Sequence, residues 1–239
     1  MNNIESLTTH FPQALTTHRY LAHLREAIEP LGFNRSNTFT CTSVCRDELC
    51  QSLTAGVGEF WQHPYIVGGM AGLPPGGIET WQVGMTHIPD SIGRGKILVV
   101  AAAHIGIAPD GSLGTVLRYG QSSVTPICGA LGAAAKALST KEGISSTDVH
   151  SEIGWLVHSL NEVGAAELSS DILALTLKCA EVIDSHIWAS LNSLSARTAN
   201  DIVVATGVQI HTHDDTDHIL PIATNHMDAD GVVTTLDVS

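Results

Sequence analysis

Three residues in this chain carry side chains suited to a catalytic metal: Cys45, His104 and Cys128. Two thiolates and one imidazole make a good donor set for zinc, and three protein ligands leave a fourth position for water. Each sits where a site is usually built. Cys45 closes NTFTCTSV (37–44), a stretch rich in β-branched residues that reads as a short strand. His104 lies near the end of GKILVVAAAHIGI (95–107), the strongest strand signal in the chain. Cys128 opens ICGALGAAAKAL, a small-residue helix whose N-terminus should lower a thiol pKa. Spacing alone decides nothing, because 45, 104 and 128 match no short zinc motif. Buried free thiols and a hydrogen-bonded core histidine are common, so that alternative stays open.

The elements that must position these residues are legible in outline. The run 95–107 is apolar without alternation, as in a strand buried on both faces. In open α/β sheets, sites gather at the carboxyl ends of strands. Helical spacing appears over 13–30, ending at Pro30 and Gly32, and 46–60 also reads as helical. Helices are expected over 127–138, 151–164 and 168–196, and strands over 114–120, 202–211 and 218–224, the last two as an antiparallel pair. The segment GGMAGLPPGG (68–77) cannot be regular structure and needs left-handed or close turns. The expected fold is α/β: a central, mostly parallel sheet covered by helices, with 1–239 forming a single domain.

Composition narrows the function. Net charge is −13 with 11 Lys plus Arg, which leaves no basic footprint for phosphates, so no nucleic acid and no anionic membrane is expected as partner. The apolar run ending at Ala108 is too short to span a bilayer. The start, MNNIESLTTHFPQAL, has neither the basic residues nor the apolar core of a signal peptide. Five cysteines, an odd number in a chain this long, fit a reducing compartment (cytoplasm or plastid) better than a disulfide scaffold. No CxxC supports thiol redox chemistry, and Cys179 reads as core. A charged fraction of only 15% leaves room for a buried subunit interface.

A second cluster, His211-Thr212-His213-Asp214-Asp215, is similar to the HxHxDH ligands of metallo-β-lactamase folds but lacks the final His. It would put a hydrolytic metal at the C-terminal hairpin. An acidic, solvated hairpin end is the favoured account of it.

The residues around Cys45 carry a more specific resemblance. Cys45-Arg46-Asp47 resembles the first zinc ligand and gate aspartate of β-type carbonic anhydrases. The segments CRDE, HPYIVGGMAGLPPGG, HIGI and ICGA, in that order and across nearly the whole chain, resemble the limiting-CO2-inducible B (LCIB) family, a β-like or θ-type carbonic anhydrase group. The resemblance implies a β-carbonic-anhydrase-like fold, a homodimer, and zinc held by Cys45, His104 and Cys128. It also implies an Asp–Arg pair beside the metal, carried over to Asp47 and Arg46. The β-type Arg position, two beyond the Asp, is Leu49 here. The implied activity is reversible hydration of CO2 to bicarbonate, as in a CO2-concentrating mechanism. Arg46 would hold Asp47 off the metal, Asp47 would orient the attacking hydroxide, and the loop Leu73-Pro74-Pro75 would wall the CO2. The alternative is a catalytically silent LCIB-type protein that binds partners or inorganic carbon.

Overall fold

The computed structural model describes residues 2–90, 95–140, 150–194, 200–214 and 216–238. In chain order the elements are α1 (Asn3–His10), β1 (Leu15–Thr16), α2 (Thr17–Ile28), β2 (Thr38–Ser43), α3 (Gln51–Phe60), β3 (Tyr65–Ile66), α4 (Glu79–Met85), β4 (Gly95–Ile107), β5 (Thr115–Val116) and β6 (Thr125–Pro126). There follow α5 (Gly129–Thr140), α6 (Glu152–Glu162), α7 (Ile172–Ser193), β7 (Asn200–Thr212), β8 (Asp217–Met227) and β9 (Val233–Thr235). The main sheet runs β1-β8-β7-β4-β2-β3, with β9 against β8. Strands β3, β2, β4 and β7 are parallel, whereas β8 returns antiparallel to β7 and pairs antiparallel with β1 and β9. This is the mostly parallel sheet that the unbroken apolar run implied. Strand β4 lies between β2 and β7 and is buried at every position from Ile97 to Ile107.

Helix α7 packs along β4 and β7. It buries Leu175, Cys179, Ile183, Ile187 and Leu191, a four-residue repeat that keeps one face apolar. Asp171 caps it by accepting from the Ala174 amide at 3.0 Å. Helix α2 buries Tyr20, Leu21, Leu24 and Ile28 and packs against α3 and β8. It begins later than its periodicity suggested, because Leu15–Thr16 pair with β8 and Thr16 serves as its N-cap. Among the described residues, no helix is long and apolar enough to cross a membrane.

Two expected elements are shorter than read from sequence. The strand expected over 114–120 is reduced to β5, because Gly114 and Gly120 take φ of 80° and 77° and turn the chain at both ends. Arg118 therefore leaves the strand and enters a loop. The helix expected from 46 starts only at Gln51, after a 3-10 turn (Glu48–Cys50) whose N-cap is Asp47. Residues 195–196, the expected end of α7, lie outside the described residues.

The Gly/Pro segment folds as an irregular loop against β2 and β4. Ala71 and Gly72 have φ of 55° and 85°, and the Gly72 carbonyl accepts a hydrogen bond from Ser43 Oγ at 2.8 Å. A Cβ on Gly72 would lie 2.4 Å from the Ala102 carbonyl oxygen, on the strand that carries His104. Gly72→Ala should therefore destabilise the chain by about 1–3 kcal/mol. Gly132, inside α5, has open space where its Cβ would be. Gly132→Ala should stabilise by up to about 1 kcal/mol from helix propensity alone. Urea unfolding of both variants checks the contrast, and two neutral substitutions would show the loop free to relax.

Candidate metal centre

Parallel pairing brings the three donors together. Ser43 on β2 lies level with Ala101 on β4, so the chain leaving β2 delivers Cys45 beside His104. The β5–β6 excursion brings Cys128 back to the same place. Gly114 N–H donates to Gly106 O at 2.9 Å, and Ile127 N–H donates to Gly114 O at 3.0 Å. Cys128 then opens α5, its Sγ accepting from the Leu131 amide at 3.4 Å. The ligand atoms of Cys45, His104 and Cys128 all lie within 4.8 Å of one another, and all three residues are buried.

The negative charge settles on one thiol. Cys128 beside it pulls the Cys45 thiol well below its usual range, against the opposing effect of burial. Cys128 is pushed up, first by Cys45 and then by burial. Two adjacent thiolates in a buried site repel, so the pair holds one proton between them. The His104 ring has one committed nitrogen: Nδ1 lies 3.3 Å from His211 Nε2. Its Nε2 is buried and has no hydrogen-bond partner. An unpartnered imidazole nitrogen beside a favoured thiolate and a second thiol fits a tetrahedral metal with one open position.

Asp47 does not pair with Arg46. Arg118 makes a bidentate ion pair with it, Nη1 to Oδ1 at 3.0 Å and Nη2 to Oδ2 at 2.7 Å. The Leu49 amide adds a bond to Oδ1 at 3.1 Å. Burial alone would raise the Asp47 carboxyl, but Arg118 and the Leu49 amide outweigh it and hold the carboxyl below its usual range. The same guanidinium donates to the Ile127 carbonyl at 2.9 Å and contacts Glu48. Arg46 turns instead to Glu152, Nη2 to Oε1 at 2.6 Å, in a pair open to solvent. The expected Arg46–Asp47 pair is thus replaced. The backbone of Asp47 is extended and its side chain is spent on capping the next turn, so its neighbour in sequence points elsewhere.

The chain matches the family of limiting CO2-inducible proteins B/C, β carbonic anhydrases, over residues 14–228. It belongs to this family. The crystal structure of PtLCIB4, a homolog of the limiting CO2-inducible protein LCIB, is 24% identical, with a TM-score of 0.86 over 98% of this chain and 99% of that one. The crystal structure of LCIB is 21% identical, with a TM-score of 0.76 over 98% of each chain. At these identities the likeness shows a shared fold. No curated protein matches the chain.

Within this LCIB-family fold, His211 is the one described residue of the C-terminal cluster that joins a group of possible metal ligands, and it does so with Cys50 and His104 rather than with His213 or Asp214. His211 is buried on β7, and His213 stands in the following turn with Nδ1 3.1 Å from Asn3 Nδ2. Asp214 accepts from Thr212 Oγ1, and Asp215 lies outside the described residues. The expected solvated end thus holds for Asp214 but not for His211. Leu73 and Pro75 line a cleft with Arg46, Glu152 and Trp155, and none of the three donors lines it.

Arg118 is the residue that sequence reasoning missed. It falls 71 positions from Asp47 and no motif marks it; the only hint was that a carboxylate beside a metal site needs a cation in a chain with few. Arg118→Ala should destabilise the chain by about 1–3 kcal/mol, because it leaves Asp47 partly buried and unpaired. Arg46→Ala, which loses only an exposed pair, should cost no more than about 1 kcal/mol. Urea unfolding of the two variants separates them, and equal losses would contradict the pairing.

Proposed function

We propose that this chain holds one zinc ion through Cys45, His104 and Cys128 and interconverts CO2 and bicarbonate. The observation that carries this is the buried donor trio, in which His104 Nε2 is unpartnered while its other ring nitrogen is engaged. Membership of a family described as β carbonic anhydrases supports it. Bound zinc would supply Lewis acidity, lowering the pKa of water toward neutrality so that hydroxide is available for CO2.

The chain's own residues supply orientation. Arg118 satisfies both Asp47 oxygens and holds the carboxylate ionised, so Asp47 can only accept hydrogen bonds. A reacting water that donates to Asp47 keeps its remaining lone pair free to face CO2. Arg118 also keeps this carboxylate from collapsing onto the donor trio, where it would compete for the open position. In this role Arg118 takes the place expected for Arg46.

Stopped-flow CO2 hydration tests the proposal. The zinc-loaded parent should be active, Cys128→Ala should lose most of its zinc, and Arg118→Ala should keep zinc yet slow by about a hundredfold as the reacting groups lose their alignment. A zinc-loaded parent without activity would favour the silent, partner-binding alternative, and full zinc in Cys128→Ala would remove the ligand set.

We also propose a homodimer. Large apolar side chains stand exposed on the edge strand β3 and the adjacent α4, at Ile66 and Val83. Sedimentation at micromolar concentration should give a dimer or a dimer-based oligomer. A single 25.2 kDa species would count against it.

A further inference from the structure

Behind His104 runs a chain of polar groups, buried at Gln209 and His211 and reaching the surface at Ser52, with no part in the chemistry above. His104 on β4 lies opposite Gln209 on β7, and His211 is one pleat further on the same face. The hairpin to β8 then returns Asp217 directly opposite His211. The rings of His104 and His211 meet edge to face, interplanar angle 82°, with His104 Nδ1 3.3 Å from His211 Nε2. His211 Nδ1 lies 2.8 Å from Asp217 Oδ1. The other Asp217 oxygen accepts from Gln209 Nε2 at 3.1 Å and from Ser52 Oγ, and Gln209 Nε2 also donates to Ser52 Oγ at 2.8 Å. His211 and Gln209 are almost wholly buried.

We propose that His211 and Asp217 are positioning residues that lock His104 into the one tautomer able to bind a metal through Nε2. This rests on the zinc site proposed above. The direction follows from donor and acceptor counting. An ionised carboxylate only accepts, so the proton between Asp217 and His211 sits on His211 Nδ1. With that proton held at Nδ1 by Asp217, the other His211 nitrogen, Nε2, faces His104 as the acceptor. His104 must donate to it from Nδ1, and its own Nε2 is left with a bare lone pair. That nitrogen is the buried, unpartnered one.

Burial alone would raise the Asp217 carboxyl, but the bonds from His211, Ser52 and Gln209 outweigh it and keep Asp217 below the usual carboxylate range. Cys50 Sγ also approaches His211 Nε2, at 3.9 Å. A thiol is a weak donor, so the imidazole N–H of His104 at 3.3 Å is the stronger partner. A hydrogen-bond partner behind a ligand imidazole fixes its tautomer and raises its basicity, and losing it typically costs roughly 10–100-fold in metal affinity; for His104 that partner is His211, itself held by Asp217.

The substitutions are not equivalent. His211→Phe keeps the ring and removes both nitrogens. His211→Gln places a carbonyl oxygen near the position of Nε2 and can still accept from His104. Asp217→Asn should invert the chain: Gln209 and Ser52 both donate to one side of residue 217 and favour the amide oxygen there, which turns the amide NH2 toward His211. His211 then accepts at Nδ1, donates from Nε2, and pushes the His104 proton onto its own Nε2.

Two measurements on the full chain decide the matter. The first is the nitrogen-15 spectrum of the metal-free parent labelled at histidine, which reports the His104 tautomer without any substitution. It should show the proton on Nδ1, and Asp217→Asn should move it to Nε2. A metal-free parent protonated on His104 Nε2 overturns the proposal, whatever the zinc results. The second is zinc affinity by competition with a chromophoric chelator. His211→Phe and Asp217→Asn should each raise the zinc Kd roughly 10–100-fold, and His211→Gln should recover most of the loss. Unchanged Kd in both weakened variants would also overturn it. Failure of the zinc site itself looks different: the parent binds no zinc, or Cys128→Ala leaves its Kd unchanged, while the tautomer spectrum still decides on the relay.

Discussion

One guanidinium ties the site together. Arg118 bonds both oxygens of Asp47, two residues past Cys45, and the carbonyl of Ile127, one residue before Cys128. The two cysteine-bearing segments come from opposite sides of the chain order, and this side chain bridges them. A planar fork can serve a carboxylate and a carbonyl at once, which an ammonium cannot do with the same geometry. It also settles the local charge. Cys45 favours its thiolate, and Asp47, Glu48 and Asp217 are close by in a chain of net charge −13. Without the inner cation, the carboxylate nearest the donors would be left partly buried and unbalanced.

Sheet register does the rest. Strand β4 is held on both sides by parallel neighbours, so the height of His104 is fixed by ladders and not by loops. The same register puts Gln209 opposite it and His211 one pleat beyond. A hairpin is the shortest way to bring a carboxylate back to a neighbouring residue, and β7–β8 does this for Asp217. His104 thus rests on a rigid strand, while Cys45 just past β2 and Cys128 just past the β5–β6 excursion sit at element ends.

The strands were legible because burial on both faces writes itself into sequence: the run 95–107 is β4 to the residue. Cys45, His104 and Cys128, which the fold brings together, were singled out by the family resemblance as much as by their places near strand ends and a helix start. The partner of Asp47 was not. Sequence offers Arg46 as the adjacent cation, but adjacent residues on extended backbone point to opposite sides, and the real partner follows a glycine-bounded turn. The HTHDD stretch misled in a similar way. Its exposed end invited a surface reading of all five residues, yet the strand carries His211 inward before the turn begins.

The unbonded Nε2 of His104 connects folding to function. The ionisable groups around it have partners: Asp47 has three donors, Asp217 has three, and Cys128 Sγ has an amide. A buried polar atom left without a partner costs about 1–3 kcal/mol, and holding two thiols side by side adds a like-charge penalty when both ionise. A fold selected for stability alone would fill such a site with apolar side chains. On the zinc proposal those costs are repaid when the metal binds, because a ligand that binds only the folded chain stabilises it by RT ln(1 + [L]/Kd). The donors then gain their missing partner together, and the hydrogen bonds already in place around them fix which atoms are free to take it.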